Sequence, residues 1–255
     1  MIETQQLTRR FGDKVALRDL DLKVEPGEIL GFLGPNGAGK TTTVKILTGL
    51  LEPSSGTARV AGFDVVEQPL EVKKRIGYVP ESGALYENLT GGEYLELVGQ
   101  LHHLDPSGLQ RRIDELLGLF GLRGERDQRM TGYSKGMKQK VLIASALLNK
   151  PEVLFLDEPL NGIDANAAMI VKELLKKLAG QGKTIFFSSH VLEVVERMCT
   201  RIVIINEGRR LVDGTPAEIT RSAGAESLEE AFGRLTGSRD IGETASDFLK
   251  ALEQV

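Results

Sequence analysis

Residues 34–41 read Gly-Pro-Asn-Gly-Ala-Gly-Lys-Thr, the spacing G-x-x-x-x-G-K-[ST]. Glycines let successive backbone N–H groups curl around an anion without Cβ interference, and a helix starting behind them adds the positive end of its dipole. Lys40 is placed to reach terminal phosphates, and the Thr41 hydroxyl to join a Mg²⁺ shell. Gly34, Pro35, Asn36, Gly37, Ala38, Gly39, Lys40, Thr41 and Thr42 are therefore candidate triphosphate-binding residues. A second chemical feature is the run VLFLDEP, which puts Asp157 and Glu158 at the end of an apolar strand. In open α/β sheets that end faces the ligand crevice. Adjacent strand residues point in opposite directions, which gives the two carboxylates separate tasks. Asp157 is the candidate for the Mg²⁺ shell, through water, and Glu158 for polarising the attacking water.

These groups need a scaffold, and the apolar patterning describes one. Leu20, Leu22 and Val24 alternate with charged residues as in a half-buried strand, ended by Pro26-Gly27. EILGFL (28–33) suits a buried strand, and KTTTVKILTGLL after the loop suits a helix stopped before Pro53. The first 80 residues otherwise read as strands and turns, with that one helix. From about Leu85 to Lys150 the texture is helical: Leu109, Ile113, Leu116, Leu117 and Phe120 recur at helical spacing behind Asp105-Pro106. A second helix runs from about Ser134, with Met137, Val141, Ala144 and Leu148 on one face. Strand-type runs return at 153–157, 184–188 and 202–206, with a helical stretch at about 165–180 between the first two. A hairpin is expected around Glu207-Gly208. The tail carries two short amphipathic segments, SLEEAFGRL and ASDFLKAL.

Composition excludes several classes. The chain has 255 residues, 41% hydrophobic and 27% charged, with a formal net charge of −4, as in a globular protein with ample material for a core. No polybasic block is present, which disfavours nucleic acid as the main partner. The start has no signal-peptide apolar core, and no run approaches the roughly 18 apolar residues of a membrane span. Cys199, the single cysteine, reads as a small core residue in a reducing compartment, and His102 and His103 read as surface residues.

What lies between and after the two phosphate motifs resembles ABC transporter nucleotide-binding domains over about residues 1–220. YSKGMKQK (133–140) resembles their signature motif, LNGID (160–164) their D-loop, and FFSSH (186–190) their switch histidine. GYVPES (77–82) falls at the Q-loop position, and Phe11 where an aromatic stacks on adenine. The resemblance implies an α/β P-loop NTPase fold: a mostly parallel sheet, an N-terminal antiparallel β-subdomain, and a helical subdomain inserted at about 85–150. A helical tail then occupies 221–255. It further implies an ATPase whose Ser134, Gly136 and Asp164 close on the triphosphate held by a second copy of the chain. Lys40, Glu158 and His190 are then the catalytic groups, with Thr41, Asp157 and Glu81 around Mg²⁺. Partners implied are a second ATPase copy and transmembrane permease subunits at the cytoplasmic face of the cell membrane. The signature and tail are most similar to the exporter branch with separate ATPase and permease chains.

Departures from the family pattern are specific. Tyr133, Lys135 and Met137 replace three of the five L-S-G-G-Q residues, and Glu81 stands where many members have Gln. A carboxylate accepts from a metal-bound water but donates no hydrogen bond. Other readings are a non-transport ABC ATPase of translation or DNA repair, or a module that holds ATP without turnover. Such non-transport members usually carry tandem cassettes or long coiled coils, and this sequence shows no sustained heptads. Intact Lys40, Asp157, Glu158 and His190 oppose the second. No N-K-x-D segment for guanine is found.

Overall fold

A computed structural model describes residues 1–82 and 85–237. Two sheets share the molecule. Strands β1 (Ile2–Phe11), β2 (Lys14–Val24), β4 (Ser55–Val60) and β5 (Phe63–Asp64) form an antiparallel sheet in the order β2-β1-β4-β5. The second sheet contains β3 (Ile29–Leu33), β6 (Ile76–Val79), β7 (Val153–Asp157), β8 (Thr184–Ser188), β9 (Arg201–Asn206) and β10 (Arg209–Gly214). Its order is β10-β9-β3-β8-β7-β6, parallel throughout except for the β9–β10 hairpin. The fold class expected from sequence is the one observed.

The central strands are buried along their whole length, and period-two alternation sends their side chains into two separate cores. Phe32, Phe155 and Phe186 face one side, where Phe186 packs 4.8 Å from the Phe32 ring and 5.5 Å from that of Phe155. That core also takes Val44, Ile46 and Leu47 of α1 (Lys40–Leu47) and the inner face of the antiparallel sheet. Leu33, Leu154, Leu156 and Phe187 face the other side and meet the helical layer. That layer holds α3 (Gly91–Leu101), α4 (Pro106–Leu119), α5 (Lys135–Leu147) and α6 (Ala165–Gly180). Thr90 and Glu93 start α3 with reciprocal caps, and Asp105 caps α4 ahead of Pro106.

The sequence expectation of one helix before residue 80 was incomplete. Pro69–Arg75 forms α2, which packs by the single buried side chain Val72. A seven-residue helix with one buried contact leaves too little periodicity to recognise. After β8 come α7 (Leu192–Met198), then α8 (Pro216–Ser222) and α9 (Leu228–Thr236) beyond the hairpin. The segment ASDFLKAL lies outside the described residues. Cys199 is buried, with its thiol pushed up to about 12 by burial, as expected of a core residue. His103 is exposed, whereas His102 is half-buried beside the Asn149 amide, and burial lowers its pKa.

Candidate functional site

Gly34 and Gly39, in the loop from β3 to α1, sit where no side chain fits. Gly39 has φ +109°, and a Cβ there would lie 2.5 Å from the Ala16 carbonyl oxygen. Gly39 is also the N-cap of α1 and supplies no side-chain acceptor, so the first-turn N–H groups stay available to an anion. Lys40 Nζ folds back over the loop and donates to the Gly34 carbonyl at 2.6 Å and the Pro35 carbonyl at 3.1 Å. Burial lowers the Lys40 pKa, opposed by the charges of Asp157, Glu158 and Glu81.

This loop borders a cavity of about 740 Å³. Lys40, Thr41, Thr42, Glu81, Asp157, Glu158 and His190 line it, with Phe11 and five other loop residues. Ala38 alone of the nine expected loop residues turns into the core, where its methyl is packed instead of facing the cavity. Phe11 is half-exposed, with the Arg9 guanidinium 4.6 Å over its ring. Ser189, inside FFSSH, also lines the cavity, as do Lys14, Ala16, Leu192 and Phe232, which no sequence motif marks.

The two carboxylates occupy different environments. Asp157 pairs in register with Ser188, whose hydroxyl donates to Asp157 Oδ1. The buried Asp157 Oδ2 has no hydrogen-bond partner among the described residues. Burial raises the Asp157 pKa, and the nearby Glu81 and Glu158 push it the same way against Ser188 and Lys40. An orphaned carboxylate oxygen among acidic neighbours, in the cavity that Thr41 also lines, fits a hard divalent cation. Among the described residues no three acidic or imidazole groups converge as a metal cage. Mg²⁺ commonly takes one or two protein oxygens and completes its shell from phosphates and water, which this donor set matches.

Glu158 departs from the strand alternation expected for it. It follows the end of β7 in the left-handed region, with φ +51°, and its N–H donates to the Ser188 carbonyl at 3.0 Å. That turn, costly for a residue with a Cβ, aims the carboxylate at the segment after β8. Glu158 Oε1 accepts from the His190 backbone N–H at 2.7 Å. Oε2 lies 2.8 Å from His190 Nδ1 and 3.2 Å from the Ser189 hydroxyl that donates to it.

Ser134, Gly136 and Asp164 stand apart from this cavity, and none of them lines it. Ser134 is exposed and caps α5, accepting from Met137 N–H at 3.2 Å. Asp164 caps α6, accepting from Ala167 N–H at 2.8 Å, and pairs with Lys140 Nζ at 2.7 Å. The Lys140 hydrogen bond is the first cause that lowers its pKa. Gly136 is where the two segments touch, since a Cβ there would lie 2.5 Å from the Gly162 carbonyl oxygen. Tyr133 explains one departure from the usual signature: its ring is buried, and its hydroxyl donates to the Glu125 carbonyl at 2.6 Å.

The model of the ABC transporter family matches residues 17–161. The chain belongs to that family. This ABC protein is 41% identical over 238 residues to the ABC transporter ATP-binding protein NatA of Bacillus subtilis, which covers 91% of the chain and 96% of the relative. It is 40% identical to a daunorubicin resistance ATP-binding protein, DrrA3, of Streptomyces coeruleorubidus, over 87% of the chain and 70% of the relative. Identity to a Nod factor export ATP-binding protein of Cupriavidus metallidurans is 34%, over 91% and 77%. A solved ATP-binding subunit of an ABC transporter superposes with TM-score 0.87 at 34% identity, covering 92% of this chain and 99% of that one. A dimeric ATP-binding cassette solved with ADP and Pi after hydrolysis superposes with TM-score 0.78 at 25% identity, over 84% and 98%. The protein is an ABC ATPase, an ATP-binding subunit that hydrolyses ATP.

Proposed function

We propose that this ATPase works as a head-to-tail dimer that drives a membrane permease chain, with export as the direction. The observation that carries the dimer is a division: Lys40 and Ser134 head two helix starts suited to phosphate, yet only the first lines the nucleotide cavity. A second copy turned head to tail brings the exposed Ser134–Gly136 start over the phosphates held by Gly34–Thr42, an isologous arrangement with two shared sites. The dimeric cassette neighbour supports it. Among the described residues no helix is long and apolar enough to cross a membrane, so contact with a bilayer runs through another chain. The names of the export and drug-resistance relatives favour the exporter branch.

Within each site, Phe11 takes the adenine face, and the loop N–H groups and Lys40 hold the phosphates. Thr41, Asp157 and Glu81 would hold Mg²⁺. When bound, the cation offsets the charge gathering on the terminal phosphate oxygens. Glu158 accepts the proton of the attacking water, and His190 orients both Glu158 and the terminal phosphate. Asp164 holds the seam. Hydrolysis removes the phosphate bridge, and the permease changes orientation because its two states bind the closed dimer differently.

The test is purification from gently solubilised membranes with an affinity tag on this chain. Recovery of a multi-span membrane protein in fixed stoichiometry supports the reading. Recovery with ribosomes or DNA alone sinks the transport assignment.

A further inference from the structure

The wall of the nucleotide cavity includes one residue from the far end of the described chain, Phe232 on α9. His190, just before α7, and Leu192, its first residue, line the same cavity. The presence of Phe232 there is built in. Ser227 caps α9 by accepting from Glu230 N–H, and Leu228 and Ala231 are fully buried. Arg234 clamps the preceding turn by donating to the Ala223 carbonyl at 2.9 Å and the Gly224 carbonyl at 2.6 Å, while also pairing with Glu230. Helix α9 packs directly on α7, and Val195 of α7 is fully buried in the same core as Leu228 and Ala231.

That packing reaches the catalytic groups. The Ser189–Leu192 segment makes three hydrogen-bonding contacts to Glu158 and then runs straight into α7. α7 is only seven residues long and has no side-chain cap at its start, so its place depends on packing more than on its own helix propensity. Phe232 is partly buried against the core that holds Val195, and it lines the same cavity as His190 and Leu192. We propose that Phe232 is a positioning residue for hydrolysis: through α9 it holds the His190 segment against Glu158, making the start of the tail part of the active site.

This inference rests on the assignment of Glu158 and His190 to the hydrolytic step. It separates kcat from KM, because Phe11 and the Gly34–Thr42 loop hold the nucleotide through other elements. The experiment measures ATP hydrolysis by the full chain carrying Phe232→Ala, with Leu235→Ala as a control. Leu235 lies on the same helix, packs on the same core and does not line the cavity. The expected result is a roughly tenfold fall in kcat for Phe232→Ala, with KM for ATP within about twofold of the parent. Phe232→Leu, which keeps an apolar side chain there, recovers most of the loss and serves if the alanine variant does not fold. Leu235→Ala lowers Tm with little change in kcat. Equal kcat losses in the two alanine variants, or a Phe232→Ala enzyme with parent kcat, overturn the proposal. A Glu158→Gln enzyme that turns over at the parent rate defeats the site assignment beneath it, whatever Phe232 does.

Discussion

Glu158 and His190 are joined twice, by a backbone N–H to Oε1 at 2.7 Å and by the ring Nδ1 to Oε2 at 2.8 Å. Both residues follow strand ends, in adjacent parallel strands paired from Val153 to Asp157 with Thr184 to Ser188. The sheet itself therefore delivers the carboxylate and the imidazole to one place. With Nδ1 turned toward the carboxylate, Nε2 is the atom left for a phosphate oxygen.

From this follows the behaviour of Glu158→Gln. Glutamine keeps Oε1 as acceptor for the His190 N–H but supplies no base for water. Turnover is expected to fall by roughly 10²- to 10⁴-fold, with ATP still bound. Because ATP then persists at the shared sites, size-exclusion chromatography with ATP should show a dimer absent with ADP. Steady hydrolysis at the parent rate removes Glu158 from the catalytic role.

Asp157→Asn should separate stability from activity. The Asp157 pKa is raised, first by burial, so its folded-state pKa lies above the unfolded value. Its stabilising contribution is then complete below the unfolded pKa and is lost as pH rises through the folded one. At neutral pH the charged form is a burden that asparagine removes, while its Oδ1 still accepts from Ser188. Without nucleotide, thermal unfolding should show Tm above the parent at pH 7, with the gap narrowing toward pH 4. Mg²⁺-dependent hydrolysis should be lost in the same variant. A lower Tm at pH 7 contradicts the burial argument.

Much of this site was legible because its chemistry is local in sequence. Gly34–Thr42 and the Asp157-Glu158 pair are contiguous, and their flanking strands are apolar enough to recognise. The orientation of Glu158 was not legible. Strand alternation gave it a direction by a rule that stops at Asp157, and the left-handed turn supplies the actual one. Phe232 was hidden for another reason. SLEEAFGRL shows an amphipathic helix, but which surface that helix covers depends on tertiary packing that its own sequence does not encode. Ala38 was assigned to the loop by position, but its methyl is buried in the core, 2.9 Å from where a Cβ on Gly34 would lie.

Lys40→Ala should cost binding far more than stability. Among the described residues the ammonium bonds only to the Gly34 and Pro35 carbonyls, both within its own loop. Losing a charged donor to phosphate is expected to weaken ATP by roughly tenfold or more, with Tm nearly unchanged. Isothermal titration with a slowly hydrolysed ATP analogue measures the first quantity and calorimetry the second. Unaltered affinity would remove Lys40 from the phosphate site.

Ser134 and Gly136 call for paired substitutions, because each has a role inside its own chain as well as the one proposed across the dimer. Ser134→Ala removes the α5 cap, a loss of about 1 kcal/mol. In a chain of this size that lowers Tm by about 2–4 °C. Ser134→Asp restores a capping acceptor but sets a negative charge where the partner's phosphates would lie. If the helix start serves only its own chain, Ser134→Asp should recover both Tm and turnover. If it serves the second copy, Tm recovers while ATP-dependent dimerisation and turnover stay lost. Gly136→Ala drives a methyl against the Gly162 carbonyl and should cost about 1–3 kcal/mol, shifting the α5 start away from the Asp164 segment. Mixing Ser134→Asp chains with Lys40→Ala chains completes the test. A head-to-tail dimer of unlike chains has one site carrying both lesions and one carrying neither, so mixing should regain part of the turnover that each variant alone lacks. Failure to regain any, with both chains folded, argues that each site is complete within one chain.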